Sequence, residues 1–154
     1  MEKELETVNL DDVLNNVLSL YRKRIEDTHA VVKTSDLPTL QSYKTPLHQV
    51  FQNLIGNALK YHENGTPPIV EISCEDKKSA WQFAVKDNGI GISNEYFEKI
   101  FVVFKRLHSS DSYSGTGMGL SICKKIIERM GGRIWVESQN GEGCTFYFTL
   151  PKEG

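Results

Sequence analysis

Three glycines at alternate positions, Gly115, Gly117 and Gly119, stand directly before an amphipathic run in the segment SYSGTGMGLSICKKII, residues 112–127. Glycine lets a backbone approach a ligand closely, and the first turn of a helix offers unpaired N–H groups that favour anions. The segment is not a P-loop, because GK[ST] and a preceding strand are missing. It is not a dinucleotide fingerprint either, because Leu120 occupies the place of the third glycine. A phosphate-holding loop and an ordinary flexible connection both remain open here.

A second candidate is a polar stripe in the segment HQVFQNLIGNALKYHENG, where Asn53, Asn57 and Lys60 recur at helical spacing. On a helix these three side chains fall within about 60° of one another, beside the apolar face. One interpretation is an amphipathic helix with a mixed boundary. The other is a ligand stripe, with amide oxygens for Mg²⁺ and a lysine for the phosphates that share such sites. The stripe alone does not decide between them.

The third candidate is Asp87, which ends the apolar-alternating run WQFAVKD before the turn NGIG. Aspartate, asparagine and glycine are common at strand ends, so an ordinary turn is one interpretation. However, Asp87 shares the period-2 face of Phe83 and Val85, and a buried carboxylate needs partners. A carboxylate accepts a hydrogen bond from the exocyclic amine of adenine and repels the carbonyl oxygen of guanine, which would separate ATP from GTP.

The surrounding pattern predicts helices and hairpins packed as an α+β, two-layer sandwich, with a mixed, mostly antiparallel sheet of about five strands covered on one face by about three helices. Asp11 and Asp12 should cap a first helix that includes Tyr21 and Ile25. AVVKT and PTLQS read as short strands. A second helix should begin near Thr45-Pro46, with the proline at its first position.

The remaining elements follow from alternation and from breaking residues. IVEISCEDKKSAWQFAVKD is a hairpin, SNEYFEKIF a short helix, and residues 105–115 a polar segment without periodicity. A further helix should follow the glycines and end at Gly131-Gly132. The closing hairpin should turn at Asn140-Gly141. The helix after the glycines is expected to bury Leu120, Ile122, Cys123, Ile126, Ile127 and Met130.

The bulk composition excludes several classes of protein. The 154 residues favour one domain, and a net charge of −2 gives no electrostatic reason for nucleic acid or membrane partners. No apolar run approaches the ~20 residues that span a bilayer, and the start lacks a signal peptide. Three widely spaced cysteines without a CxxC pair make zinc improbable and favour a reducing, cytoplasmic location.

The three motifs N-x3-N-x2-KY, D-x-G-x-G and G-x-G-x-G-L occur in this order, with FKRLH between the last two. In this the chain resembles the catalytic and ATP-binding domain of a sensor histidine kinase, in the Bergerat-type ATPase superfamily shared with type II topoisomerases, heat-shock chaperones and mismatch-repair proteins. The resemblance spans residues 7–151, leaving 1–6 as a linker remnant and 152–154 as a tail. IFVVFKRLH and GTGMGLSICKKIIERMGGRIWVES are most similar to phytochrome-like kinases.

The resemblance implies ATP and Mg²⁺ as cofactors and gives each motif a role. Asn57 would hold the Mg²⁺ that bridges the phosphates, with Asn53 nearby; Lys60 would reach the phosphates, and Asp87 would accept from the adenine amine. Arg106 would approach the γ-phosphate, and Thr145 would support the adenine end through its hydroxyl. With Asn53, Asn57, Lys60 and Arg106 as the catalytic set, the other nucleotide contacts would be Tyr61, Gly89, Ile90, Gly91, Phe104, Leu107, Gly115, Thr116, Gly117, Met118, Gly119 and Leu120, and Phe101 would anchor a lid with Phe104.

In the hydrolytic relatives a glutamate stands four residues before the metal-binding asparagine, whereas here that residue is Asn53, an amide without useful basicity. This favours phosphoryl transfer over hydrolysis. None of the four histidines fits the family's acceptor motif, so the dimerisation and phosphoacceptor domain is expected on a separate part of the same kinase, with a response regulator downstream and the isolated domain a monomer. A serine-directed anti-sigma-factor kinase and a non-catalytic nucleotide-binding module remain alternatives. The segment Val103–Tyr113 is expected to be mobile without nucleotide and ordered with it.

Overall fold

The computed structural model describes residues 5–60, 65–89, 119–138 and 143–152. Within these ranges the chain forms four helices and seven strands. The helices are α1 (Leu10–Leu20), α2 (Arg22–Thr28), α3 (Lys44–Lys60) and α4 (Gly119–Arg129). The strands are β1 (Glu6–Asn9), β2 (Val31–Thr34), β3 (Thr39–Ser42), β4 (Ile69–Asp76), β5 (Ala80–Asp87), β6 (Ile134–Ser138) and β7 (Cys144–Pro151).

Five of these strands form one sheet in the order β2-β4-β5-β7-β6. β2 pairs parallel with β4, and the other three pairings are antiparallel, which confirms the predicted mixed sheet. β1 and β3 form a separate antiparallel pair. The strand in PTLQS was therefore predicted correctly, but its pairing with the segment before α1 was not foreseen.

The core lies between one face of the sheet and the helices. Phe83 and Phe148 are register partners and stack with ring centroids 4.8 Å apart, and Phe51 of α3 meets both rings edge-on, at 6.1 and 5.5 Å. α3 contacts β4 and β5, whereas α4 contacts β6 and β7. This arrangement confirms the two-layer sandwich. No helix in the described ranges has the length and apolar character needed to cross a bilayer.

The first helix differs from the prediction at both ends. Its cap is Asn9, whose Oδ1 accepts from the Asp12 N–H at 3.2 Å, so the assignment of Asp11 and Asp12 as caps was wrong. Asp11 instead accepts from the Leu37 N–H at 3.0 Å. The predicted single helix also breaks at Tyr21, whose backbone leaves the helical region and whose hydroxyl donates to the Gln52 carbonyl of α3 at 2.8 Å.

The second predicted helix is confirmed as α3, but it begins at Lys44, one residue before the predicted cap Thr45. Pro46 is therefore the third helical residue, where an N–H has no partner within the helix in any case. The β4–β5 hairpin, the strands of the β6–β7 hairpin and the end of α4 before Gly131 are confirmed. The short helix predicted over residues 93–101, the polar segment 105–115 and the turn at Asn140-Gly141 lie outside the described residues.

Candidate functional site

Asp87 lies at the end of β5 on the inner face of the sheet and is only 8% exposed. Its Oδ1 accepts from the Gly89 N–H at 2.8 Å and from the Cys144 N–H at 3.3 Å, and its Oδ2 lies 3.3 Å from the Cys144 Sγ. Burial raises the pKa of the Asp87 carboxyl above its ordinary value, and these hydrogen bonds act in the opposite direction. The residue is thus a buried, oriented acceptor rather than a solvated turn aspartate.

Gly143 brings β7 against the end of β5. A Cβ built on Gly143 would lie 2.1 Å from the Asp87 carbonyl oxygen, and its φ of +86° also favours glycine. The Gly143 carbonyl accepts from the Ser138 hydroxyl at 2.8 Å. Sequence reasoning missed this glycine as a site residue, although the segment GEG before an alternating strand was a visible signal.

Cys144, rather than Thr145, is the β7 residue beside the Asp87 carboxylate. Thr145 is the register partner of Lys86, so its side chain shares the outer face of the sheet with that exposed lysine. This register places Thr145 on the face away from the Asp87 carboxylate, and its hydroxyl support at the adenine end stays a prediction. The inner-face position belongs to the residue one place earlier, and sequence reasoning did not assign it a role.

Asn88, also unassigned from the sequence, joins the turn after β5 to the chain before β4. Its Oδ1 accepts from the Ile69 N–H at 2.8 Å, and its Nδ2 donates to the Pro67 carbonyl at 3.2 Å. Asparagine is common in turns, so its type alone gave no sign of this bridge. The bridge fixes the peptide that follows Asp87.

The polar stripe of α3 faces the start of α4. The Asn53 Nδ2 donates to the Gly119 carbonyl at 3.2 Å, and the Cys123 thiol lies 3.8 Å from the Val50 carbonyl. Asn53, later on α3, contacts the start of α4, whereas Val50, earlier on α3, contacts Cys123 further along α4. The two helices therefore run antiparallel. Asn57 and Lys60 are half-buried and lie one and two turns beyond Asn53.

The direction of α4 relates this stripe to Asp87. Just after α4, a Cβ on Gly132 would lie 1.9 Å from the Thr149 carbonyl oxygen, so the helix ends beside the C-terminal part of β7. Thr149 pairs with Gln82 at the start of β5, whereas Cys144 lies beside Asp87 at its end. The first turn of α4 therefore points toward the Asp87 end, as does the second half of α3.

The structure thus brings Asp87, Gly89, Asn53, Asn57, Lys60, Gly119 and Leu120 to one end of the two layers. The other predicted site residues, Tyr61, Ile90, Gly91, Phe101, Phe104, Arg106, Leu107, Gly115, Thr116, Gly117 and Met118, lie outside the described residues, as does the segment expected to order with nucleotide. Their roles stay predictions. In the described ranges no three acidic, histidine or cysteine side chains are grouped so that they could hold a metal ion.

Residues 42–154 match the family described as histidine kinase-, DNA gyrase B- and HSP90-like ATPase. The chain is 51% identical over 145 residues to cyanobacterial phytochrome A of a Nostoc species, covering 94% of this chain and 19% of that protein. Among solved structures, the nucleotide-free catalytic domain of histidine kinase ThkA superposes with a TM-score of 0.83 at 31% identity, covering 97% of both chains. ThkA in complex with the response regulator TrrA matches with a TM-score of 0.75 at 30% identity, covering 96% of this chain and 42% of that one.

Proposed function

Because the chain belongs to the histidine kinase-, DNA gyrase B- and HSP90-like ATPase family, we propose that it binds Mg²⁺·ATP and transfers the γ-phosphoryl group to a histidine on a separate dimerisation domain. The observation that carries the proposal is the buried Asp87 carboxylate, held by backbone N–H groups at the same end of the fold as the α3 stripe. Phosphoryl transfer needs positioning and charge stabilisation more than covalent chemistry, and these are what such a site supplies.

Asp87 would recognise adenine. Its Oδ1 is engaged by two backbone N–H groups, while Oδ2 has only the thiol of Cys144 as a partner among the described residues. An ionised carboxyl oxygen has room for more than one donor. Oδ2 would therefore accept from the exocyclic amine, and a purine with a carbonyl at that position would meet a repelling oxygen.

The phosphate end would be formed by α3 and α4. Asn57 and Lys60 lie on the half of α3 that runs toward the Asp87 end, and the first turn of the 11-residue helix α4 begins at Gly119. Unpaired N–H groups and the helix dipole at such a terminus favour phosphate. An amide oxygen and a lysine add one cation ligand and one positive charge.

Mg²⁺ fits this donor set only as an ion shared with the nucleotide. Without a grouped set of acidic ligands in the described ranges, the protein would contribute the Asn57 amide oxygen, and phosphate oxygens and water would complete the shell. When bound, the ion would neutralise charge on the phosphates. Arg106 remains the proposed partner of the γ-phosphate.

Asn53 supports transfer to a protein acceptor rather than hydrolysis. Its amide N–H faces the Gly119 carbonyl at 3.2 Å, so this position requires a donor. A carboxylate that could activate water would put a negative oxygen against that carbonyl. The site therefore binds the triphosphate without a base at this position.

The partners follow from the relatives. The chain corresponds to 19% of the length of the Nostoc phytochrome, so the phosphoacceptor domain would lie elsewhere in a longer kinase. The complex of ThkA with TrrA supports a response regulator as the next acceptor. We expect a cytoplasmic domain, monomeric in isolation, without direct contact to membrane or nucleic acid.

The direct test mixes the domain with a separately expressed histidine phosphoacceptor domain and labelled Mg²⁺·ATP. Acid-labile, base-stable phosphate on the acceptor is the expected product. Acid-stable phosphoserine would indicate a serine-directed kinase instead, and ATP binding without transfer would indicate a non-catalytic module. Asp87→Asn serves as the binding-deficient control, and Asp27→Asn, an exposed aspartate of α2, as the matched control.

A further inference from the structure

The Cys144 thiol is an unassigned polar group within hydrogen-bonding distance of the carboxylate proposed to recognise the purine. Its Sγ lies 3.3 Å from Oδ2, the oxygen that no described backbone group engages, and its own N–H lies 3.3 Å from Oδ1. One residue of β7 therefore contacts both carboxylate oxygens. Gly143 makes this approach possible, because a side chain there would meet the Asp87 backbone.

We propose that Cys144 is a positioning residue for Asp87: its thiol donates to Oδ2 and keeps the carboxylate ionised and aimed at a purine amine. The inference deepens the proposed function and rests on it, since it assigns the Asp87 carboxylate to the nucleotide. It concerns a hydrogen-bond donor and not a reactive thiol.

The protonation states agree with this geometry. Burial and the neighbouring Asp87 charge raise the pKa of the Cys144 thiol far above its ordinary value, so the sulfur carries its proton near neutral pH. A neutral thiol can donate to a carboxylate, whereas a thiolate would repel it. The thiol hydrogen bond in turn opposes the rise that burial causes in the pKa of Asp87.

Apart from Cys144, the strand neighbours of Asp87 place no titratable side chain on the inner face of the sheet beside it. The β4 neighbour of Asp87 in the register is Val70, which is apolar, and the adjacent Lys86 side chain lies on the exposed outer face. Burial raises the pKa of Asp87, and hydrogen bonds from the Gly89 N–H and from the thiol and N–H of Cys144 lower it.

The first experiment follows the Asp87 carboxyl carbon by NMR as the pH of the nucleotide-free protein is changed. In Cys144→Ala, which removes the donor, the titration of Asp87 should move to higher pH. Cys144→Ser, which retains a donor, should return it toward the wild-type position. Cys74→Ala removes a thiol from β4, where it contacts the Glu75 carbonyl and not Asp87, and should leave the titration unchanged. An unchanged Asp87 titration in Cys144→Ala would overturn the proposal.

The second experiment measures the dissociation constant of a non-hydrolysable ATP analogue against pH. Cys144→Ala should bind the analogue about fivefold more weakly than wild type, because one hydrogen bond contributes about that much. This loss of affinity should grow as the pH falls. A merely structural role would give a deficit that does not change with pH, and that result would count against the proposal. Cys144→Ser should bind within about twofold of wild type.

Failure of this inference is distinguishable from failure of the proposed function. If wild type binds no nucleotide, the proposed function is wrong, while the NMR titration still decides whether Cys144 controls Asp87. If neither Cys144 variant folds, the reciprocal measurement uses Asp87→Asn. Removing the carboxylate should lower the pKa of the Cys144 thiol and so speed its alkylation at a fixed alkaline pH relative to wild type, and an unchanged rate would overturn the contact.

Discussion

Gly143 and Asp87 are in such close backbone contact that a Cβ on the glycine would lie 2.1 Å from the aspartate carbonyl oxygen. The contact holds β7 at the end of β5 and so sets where Cys144 meets the carboxylate. The end of the sheet that carries Asp87 is therefore shaped by a residue with no side chain.

Replacing Gly143 by alanine should destabilise the domain and weaken nucleotide binding. The positive φ costs about 1–2 kcal/mol for a non-glycine residue, and the clash with backbone adds about 1–3 kcal/mol. Gly65→Ala is a matched control, because Gly65 has a φ of +85° and nothing within 4 Å of its would-be Cβ. Chemical denaturation of both variants should give the larger loss for Gly143→Ala, and equal losses would contradict the steric argument.

Asp87→Asn should leave the fold intact. As the pH rises, its unfolding free energy should increase relative to that of wild type. The folded-state pKa of Asp87 is raised, so the folded protein binds the extra proton between the unfolded value of about 4 and that raised pKa. The contribution of this group to the unfolding free energy therefore falls across that window. Asparagine does not ionise and escapes the loss.

The measurement is thermal or urea unfolding of wild type and Asp87→Asn from pH 4 to 7.5. The difference between the two proteins should shift in favour of the variant as the pH increases. Asp27→Asn, an exposed change of the same kind, should show no such trend. A variant that becomes less stable than wild type with increasing pH would mean that the carboxylate stabilises the fold.

Asn53→Asp should weaken both the contact between α3 and α4 and the binding of nucleotide. In the wild-type protein the Asn53 amide nitrogen lies 3.2 Å from the Gly119 carbonyl oxygen. The substitution places a carboxylate oxygen against that carbonyl. The expected loss is about 1–3 kcal/mol, larger than the roughly 1 kcal/mol for Asn53→Ala, which only removes the bond. Gln49→Glu adds the same charge on the exposed side of α3 and is the control. If Asn53→Asp were as stable as Gln49→Glu, the donor would not be required.

Gly56 and Tyr21 should be energetically coupled. A Cβ on Gly56 would lie 2.5 Å from the Tyr21 hydroxyl oxygen and 3.2 Å from its Cζ. Gly56→Ala should thus destabilise wild type, whereas in Tyr21→Phe the obstructing oxygen is gone and alanine regains about 0.5–1 kcal/mol of helix propensity. A double-mutant cycle from urea denaturation should give a coupling of about 1–3 kcal/mol, and additive effects would contradict the packing of Tyr21 on α3.

The elements that could be predicted from the sequence are those whose signals are local. The strands β4 and β5 and the helices α3 and α4 were predicted correctly, because each buries one continuous face and so shows a clear pattern of apolar residues. Hydrophobic periodicity does not predict the break of the first helix at Tyr21, because its cause is a hydrogen bond to Gln52, 31 residues away. The pairing of β1 with β3 likewise joins strands that are separated in the chain by α1 and α2. The sequence of either short strand does not indicate which strand it pairs with.

The candidate site divides in the same way. The burial of Asp87 could be predicted because it shares a period-2 face with buried apolar residues, and the structure confirms that burial. Cys144 and Gly143 could not, because their roles depend on the register of β7 against β5, which alternation alone leaves open by one residue.

The most direct test of the account compares the dissociation constants of ATP and inosine triphosphate, which carries a carbonyl in place of the adenine amine, in wild type and Asp87→Asn. If Asp87 accepts from the amine, wild type should prefer ATP by about 100-fold or more, and the variant should lose most of that preference. Equal affinity of wild type for both nucleotides, or a preference that Asp87→Asn leaves unchanged, would contradict the assignment of this carboxylate to adenine.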